Sequence, residues 1–468
     1  MELFKHQKHA IELCKAKNIA LFHSCGTGKT LTALNVIKYW QQAGSGPALV
    51  VCPLSIIDAA WINDCKKFTP ELDIVSLWSP KPADRKKRLI EHHDIYVCNF
   101  ETFKSLFAEI QAKQFGTIIV DESSKMKSPS SQTTRALLAL AGIKTRGKGG
   151  IAFPVNHIIR HRYVLSGTPA PNKEDEYWSQ IKFVTGPGNA VFSDNYYAFR
   201  SRYFYAVPLG MTGVSIWKFR ASNKQEFMDT MTQVANVVRK QDAVDLPDQT
   251  HEIRVVTLSK PEQAAYNELK EELVLQFENE SVLATSAIVE TMKLRQLTSG
   301  FLYGEETHQI GTSKLDELKA LLDEIGDNQV IIWANFKHEI ATLLKELPNS
   351  EAIWSGTPDR DSVIKNFQQG KTKYLIANPA SAAHGLTFVN CSYAVYYSQN
   401  YSYELQKQSE DRIHRIGQKW PCTYYHLIAK GTIDEVIYKV VSKKADLSTE
   451  VLNFLRGNVK HVNQYQTA

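Results

Sequence analysis

Short apolar, β-branched runs alternate with amphipathic stretches along the whole chain, the pattern of parallel α/β sheets. In the first half, the runs at residues 19–23, 48–52, 95–98, 117–120 and 163–165 predict strands. In the second half, residues 330–333, 374–377, 394–397 and 424–428 do the same. Nearly every run is followed at once by a polar or glycine-containing segment. Open α/β sheets bind ligands at the carboxyl ends of their strands, so the chemistry is expected in those segments. Helical periodicity breaks around residues 239–249, where Asp242, Asp245, Pro247 and Asp248 cluster, and a domain boundary is expected there.

Composition adds bounds. A chain of 468 residues is long for one hydrophobic core, which implies two large domains. With 43% apolar and 22% charged residues it reads as globular throughout. Fifty-five Lys+Arg against 49 Asp+Glu leave a net charge of +6, a mild basic excess that suits a polyanionic partner. Seven cysteines with no Cys-x-x-Cys pair argue against a disulfide framework and against a zinc module. No apolar run approaches the roughly 20 residues a membrane span needs, and the N-terminus lacks the build of a signal peptide. The chain is expected to be soluble, intracellular and without a membrane partner.

The strongest chemical signal is Ser24-Cys25-Gly26-Thr27-Gly28-Lys29-Thr30, directly after the first strand. Leu31, Leu34 and Ile37 then recur at helical spacing. Strand, glycine-rich loop and helix form the context of a P-loop. Its backbone N–H groups close around phosphates, and the helix N-terminus adds a favourable dipole. In such a loop Lys29 reaches the β/γ-phosphates of ATP and Thr30 holds Mg²⁺. The leading glycine of the full pattern is absent, since His23 stands there, and Cys25 reads as a small filler. An acidic pair is the next requirement, and Asp121-Glu122 follows the strand at 117–120. Asp121 is expected to bind Mg²⁺ and Glu122 to orient and deprotonate the attacking water.

Further motifs carry a family resemblance. They include Phe4-Lys5-His6-Gln7, the run from Ala48 to Ser55 with Trp61 and Phe68, and Ser166-Gly167-Thr168-Pro169 with Asn172. They continue through Arg239-Lys240, Leu294-Arg295-Gln296-Leu297, Ser313-Lys314-Leu315 and Gly385-Leu386-Thr387. The most specific is Gln408-Ser409-Glu410-Asp411-Arg412-Ile413-His414-Arg415-Ile416-Gly417-Gln418. Over residues 4 to about 438 the chain resembles the Swi/Snf-type ATPases of helicase superfamily two.

The resemblance implies two RecA-like α/β lobes with an ATP cleft between them: residues 1–238, then 239–457, followed by a polar tail at 458–468. It implies that Gln7 reads adenine, that Ser166, Gly167 and Thr168 couple hydrolysis to movement, and that Gly385 and Gln408 border the nucleotide. Arg412 and Arg415 are implied to be arginine fingers on the γ-phosphate, a role that suits an always-charged planar guanidinium. Residues 408, 412 and 415 share one face if the segment is helical. Ser55, Thr102, Lys127 and Ser381 are candidate nucleic-acid contacts by their place in the motif order.

The chain departs from the family at Ser124, where a His is usual, at Ala383, where a Gly is common, and at Tyr401-Ser402, which replaces Trp-Asn. These departures spare phosphate chemistry and bear on how hydrolysis is coupled to movement.

Other basic and aromatic segments weigh less. The run at residues 81–88 reads as a wet helix face. The basic loop with Lys144, Arg146 and Lys148 reads as solvated, and residues 192–220, rich in Tyr, Phe, Trp and Arg, as packing beneath the first lobe. His92, His93 and His161 show no ligand spacing.

The expected function is an ATP-dependent motor, a translocase on double-stranded DNA. Two readings stand behind it: a helicase or annealing motor on forked DNA, single strands or RNA, and an ATP-gated DNA clamp. A monomer from a phage or a bacterium, working in the cytoplasm of a bacterium or phage-infected cell, completes the expectation.

Overall fold

The structure, a computed structural model, describes residues 2–145, 153–171, 173–189, 191–208, 215–243, 245–279, 284–382 and 386–443. The predicted tail at 458–468, Asn172, Ala383, Gly385, and Arg146 and Lys148 of the basic loop lie outside the described residues. The chain divides into two compact units, Met1–Asp245 and Leu246–Ala468.

In the first unit the strands are β1 (Ala20–His23), β2 (Ala48–Cys52), β3 (Ile74–Ser76), β4 (Ile95–Asn99), β5 (Thr117–Asp121) and β6 (His161–Leu165). A hairpin of β7 (Phe204–Pro208) and β8 (Ser215–Phe219) follows, then β9 (Ala235–Val238). The main sheet is wholly parallel, in the order β3-β4-β2-β5-β6-β1-β9. Its residues alternate between two cores. Phe22, Leu49, Val51, Tyr96, Ile118 and Val120 join one, and Leu21, Val50, Cys52, Val97, Ile119 and Leu165 join the other. A sheet covered on both faces needs apolar residues at every position, so its strands read as unbroken hydrophobic runs.

The second unit repeats the plan. It holds β10 (Gln249–Val256), a hairpin of β11 (Phe301–Tyr303) and β12 (Thr307–Gln309), then β13 (Val330–Trp333), β14 (Ser350–Ile353), β15 (Tyr374–Ala377), β16 (Tyr393–Tyr396) and β17 (Cys422–Ala429). Its parallel sheet runs β10-β17-β16-β13-β15-β14. Val330, Ile332, Ile376 and Val395 face one core, and Ile331, Trp333, Leu375 and Ala394 the other. Two parallel-sheet α/β units are thus the architecture.

Within the two parallel sheets, the strands absent from the apolar pattern share a location. β3, β9, β10 and β14 are the four sheet edges, and all are partly exposed. An edge strand is covered less completely, so its sequence carries no continuous apolar run.

The aromatic segment packs as expected, with Phe192, Phe199, Tyr203 and Phe204 buried in the first unit's core. The basic run forms the helix Pro82–Ile90. It is more than a wet face: Arg85 donates to the Ser79 carbonyl at 2.6 Å, and Arg88 to those of Ser76 and Trp78 at 2.8 Å.

Candidate active site

The loop after β1 turns through two left-handed glycines, Gly26 at φ 79° and Gly28 at φ 80°, into the helix Lys29–Gln42. A left-handed φ is cheap only for glycine. At Gly28 there is a second reason: a Cβ there would lie 2.3 Å from Gln7 Nε2. The loop is braced internally by Thr27 Oγ1, which donates to the Ser24 carbonyl at 2.8 Å. Lys29 Nζ lies over it, donating to the carbonyls of His23 at 2.9 Å and Ser24 at 3.3 Å.

Gln7 is buried and its amide is engaged. Its oxygen accepts from the Phe4 N–H at 2.9 Å, and its nitrogen donates to the Thr27 carbonyl at 3.1 Å. The residue expected to read adenine therefore clamps the helix Lys5–Ala16 to the P-loop. His6 Nε2 meets the same Thr27 carbonyl at 2.9 Å. Behind the loop, His23 is fully buried with Nε2 2.6 Å from Asn236 Oδ1. Burial lowers its pKa to about 4, helped by the charge of Lys29 and opposed by the Asn236 bond.

Parallel strand order brings three loops to one sheet edge. The P-loop leaves β1, the acidic pair leaves β5, and β6, between them, delivers Ser166-Gly167-Thr168. A Cβ on Gly167 would lie 2.7 Å from Cys25 Sγ, so coupling segment and P-loop touch.

Asp121 is 5% exposed. Its Oδ2 accepts from Trp61 Nε1 at 3.0 Å and its Oδ1 from the Glu122 N–H at 2.9 Å. Burial raises its pKa, while the charge of Lys29 and those two hydrogen bonds oppose the shift. Glu122 takes a left-handed backbone, φ 51°, which turns the chain sharply off the strand. From the next residue, Ser123 Oγ donates to Gln180 Oε1 at 2.6 Å.

The donor set suits a hard cation. Thr30, half-buried on the first turn of its helix, offers a hydroxyl, and Asp121 offers carboxylate oxygen. Mg²⁺ takes few protein oxygens and completes its shell with water and substrate phosphates. Among the described residues no group of three or more His, Cys, Asp or Glu is placed to hold a metal ion by itself.

In the second unit the helix Tyr403–Glu410 ends before the arginines, so the expected continuous helix through residues 408–415 is not formed. The Arg412 carbonyl accepts from the Phe388 N–H at 2.9 Å, and the chain tightens into short turns at Arg412 and Ile413. Both guanidiniums nonetheless converge on the Leu386 carbonyl, Arg412 Nη1 at 2.9 Å and Arg415 Nη1 at 3.1 Å. They differ in access. Arg412 is buried and also donates to the Gln408 carbonyl at 2.8 Å, whereas Arg415 is half-buried. Gln408 is buried as well.

The predicted nucleic-acid contacts separate by exposure. Thr102 has no exposed surface; its N–H donates to Asn99 Oδ1, capping the helix Phe100–Ser105, so its side chain does not reach a phosphate backbone. Trp61 in the expected contact segment is likewise buried and serves Asp121. Ser55, Lys127 and Ser381 are half-buried, Lys127 lying 3.8 Å from Glu176. Of the histidines, His161 stacks on Trp40 at 3.5 Å and His93 pairs with Asp73 at 2.6 Å. Behind the acidic pair, Gln180 escaped the sequence reading, and Trp61 entered it as part of a motif but not as a partner of Asp121, because only folding brings these groups to Ser123 and Asp121.

Comparison with known proteins agrees with these motifs. A family described as the SNF2-related domain matches residues 6–146 and 153–300, and the helicase conserved C-terminal domain matches residues 313–417. Protein p41 of Acyrthosiphon pisum secondary endosymbiont phage 1 is 26% identical over 461 residues, covering 95% of this chain and 96% of that protein. The Caenorhabditis elegans homolog of SWI/SNF-related matrix-associated actin-dependent regulator of chromatin subfamily A-like protein 1 is 23% identical and covers 96% of this chain. This chain spans only 62% of that worm protein's length. Among solved structures, the Sulfolobus solfataricus SWI2/SNF2 ATPase core in complex with dsDNA aligns over 98% of this chain and 94% of that one, at 20% identity and a TM-score of 0.45. With a family match over more than half of its length, the chain belongs to the SNF2-related family of helicase-like ATPases.

Proposed function

We propose that the chain is an ATP-driven motor on double-stranded DNA, moving along the duplex or displacing what is bound to it. The observation that carries this reading is the convergence of P-loop, acidic pair and coupling segment on one edge of the first unit's sheet. Chemistry at the P-loop can then be felt directly by Gly167, against which Cys25 packs.

In this reading the backbone N–H groups of residues 26–30 hold the phosphates and Lys29 shifts from its loop carbonyls to the β/γ-phosphates. Thr30 and Asp121 would hold Mg²⁺, which when bound would neutralise charge on the phosphates. Glu122 positions the attacking water and takes its proton. Arg415, the more accessible of the two arginines, meets the γ-phosphate, and Arg412 supports it through the shared Leu386 carbonyl. Gln408 borders the nucleotide, while Ser55, Lys127 and Ser381 contact the DNA backbone. No described helix is long and apolar enough to cross a membrane. We assign the protein to the cytoplasm of a bacterium or phage-infected cell, in line with its likeness to a phage protein over 95% of this chain, and take it to work as a monomer.

The test is steady-state ATP hydrolysis alone and with closed duplex DNA, single strands, forked DNA and RNA. Stimulation by closed duplex supports the translocase. Stimulation confined to forks or single strands replaces it with an annealing or unwinding motor, and indifference to every nucleic acid ends the motor reading. Glu122→Gln is expected to keep ATP affinity and abolish turnover; a variant that hydrolyses normally removes Glu122 from its role.

A further inference from the structure

Gln180 stands where an amide is out of place. It lies in the helix Tyr177–Thr185 among Trp178, Ile181, Phe183 and Val184, all buried, and is itself wholly buried. A buried amide costs free energy unless every polar atom finds a partner. Gln180 finds three. Its Nε2 donates to the Pro169 carbonyl at 2.6 Å and the Glu176 carbonyl at 3.0 Å, and its Oε1 accepts from Ser123 Oγ at 2.6 Å.

The partners fix the direction of each bond. The carbonyls of Pro169 and Glu176 can only accept, so the NH₂ end must face them. The oxygen then faces Ser123, whose hydroxyl is left only the donor role. Ser123 is also wholly buried.

The two loops thus bridged leave adjacent strands in register, Asp121 of β5 opposite Leu165 of β6. Ser123 comes two residues after Asp121, and Pro169 comes directly after Ser166-Gly167-Thr168. One rigid side chain, anchored in a helix, therefore ties the turn carrying the acidic pair to the segment touching the P-loop. Glu176 is also the residue 3.8 Å from Lys127, which places the helix start beside a half-buried cation.

We propose that Gln180 is a positioning residue: it holds the Asp121-Glu122 turn and residues 166–169 at a fixed spacing, so that movement in one loop is transmitted to the other. This rests on the motor reading above. If the side chain merely filled the core, basal and nucleic-acid-stimulated hydrolysis would fall together. If it transmits movement, stimulation falls more.

The experiment compares full-length wild type with Gln180→Met, Ser123→Ala and the double variant. Methionine is unbranched and close in volume, so it keeps the packing while removing the hydrogen bonds. Circular dichroism melting establishes that each variant is folded. Basal and duplex-stimulated kcat and the KM for ATP are then measured. The expected result is a stimulated-to-basal ratio roughly fivefold or more below wild type in Gln180→Met, with KM moved much less. The double variant should be no worse than the weaker single, because both break one chain of bonds. Equal loss of basal and stimulated rates, or additive losses in the double variant, overturns the relay while leaving the motor reading intact. Should Gln180→Met fail to fold, Ser123→Ala alone decides by the same ratio. A wild-type enzyme that no nucleic acid stimulates overturns the motor reading, and the relay with it.

Discussion

At the scale of single residues the site is built from side chains whose neighbours restrict what they can be. Gly28 is required by its φ of 80° and again by Gln7, whose Nε2 occupies the space a Cβ would take. The first constraint was legible from the glycine-rich pattern; the second was not, since Gln7 lies on a different element. His23 shows burial changing a residue's chemistry. Burial holds its pKa near 4, and His426, buried in the second unit, is held well below the usual range for the same reason. The unfolded chain protonates both below about pH 6.5, while folded His23 stays neutral until about pH 4. Acid therefore favours the unfolded state. Stability should fall from pH 6.5 towards pH 4 by up to about 1.4 kcal/mol per pH unit for each such histidine. Urea midpoints across that range measure it, and His23→Gln should flatten the acid limb; an unchanged limb removes His23 as a cause.

At the scale of elements, apolar runs marked the central strands because those strands are covered on both faces. The edges β3, β9, β10 and β14 carry mixed residues and gave no such mark. The expected arginine helix also yielded at this scale: Arg412 Nε takes the Gln408 carbonyl, the Arg412 and Ile413 N–H groups turn to carbonyls three residues back, at Ser409 and Glu410, and the helical ladder ends near Glu410. One buried ion pair joins elements of the second unit. Lys314 Nζ, on the helix Ser313–Ile325, lies 2.6 Å from Asp434 Oδ2 on the helix Ile433–Lys443, and both side chains are 1% exposed. Removing one partner leaves the other charge buried. Lys314→Met should destabilise the second unit by about 3–5 kcal/mol, and Lys314→Met with Asp434→Leu should recover most of that. Urea denaturation of both variants decides, and equal losses would show that packing rather than charge dominates at this contact.

At the scale of the whole molecule, two units each hold their own pair of cores, and the motifs divide between them. The P-loop, acidic pair and coupling segment belong to the first, and the arginines to the second. If Arg415 serves the γ-phosphate as proposed, Arg415→Ala should lower kcat by about 10³-fold or more with ATP affinity little changed. Arg412→Ala should also cost stability, because its buried guanidinium holds the carbonyls of Leu386 and Gln408. Single-turnover kinetics and thermal melts separate the two variants. An Arg415→Ala enzyme with wild-type kcat would confine catalysis to the first unit.

By itself the sequence determined the class of fold and the phosphate chemistry. Central parallel strands demand continuous apolar runs, and a P-loop followed by an acidic strand end is local, with its spacing written in consecutive residues. Tertiary structure alone decided what lies beside those motifs. It buried Thr102 and Trp61, turned Gln7 onto the P-loop, separated Arg412 from Arg415 by exposure and set Gln180 between two loops. Such contacts join residues up to about 60 positions apart. Local propensity carries no record of them, because they exist only once the sheet order has brought the strand ends together.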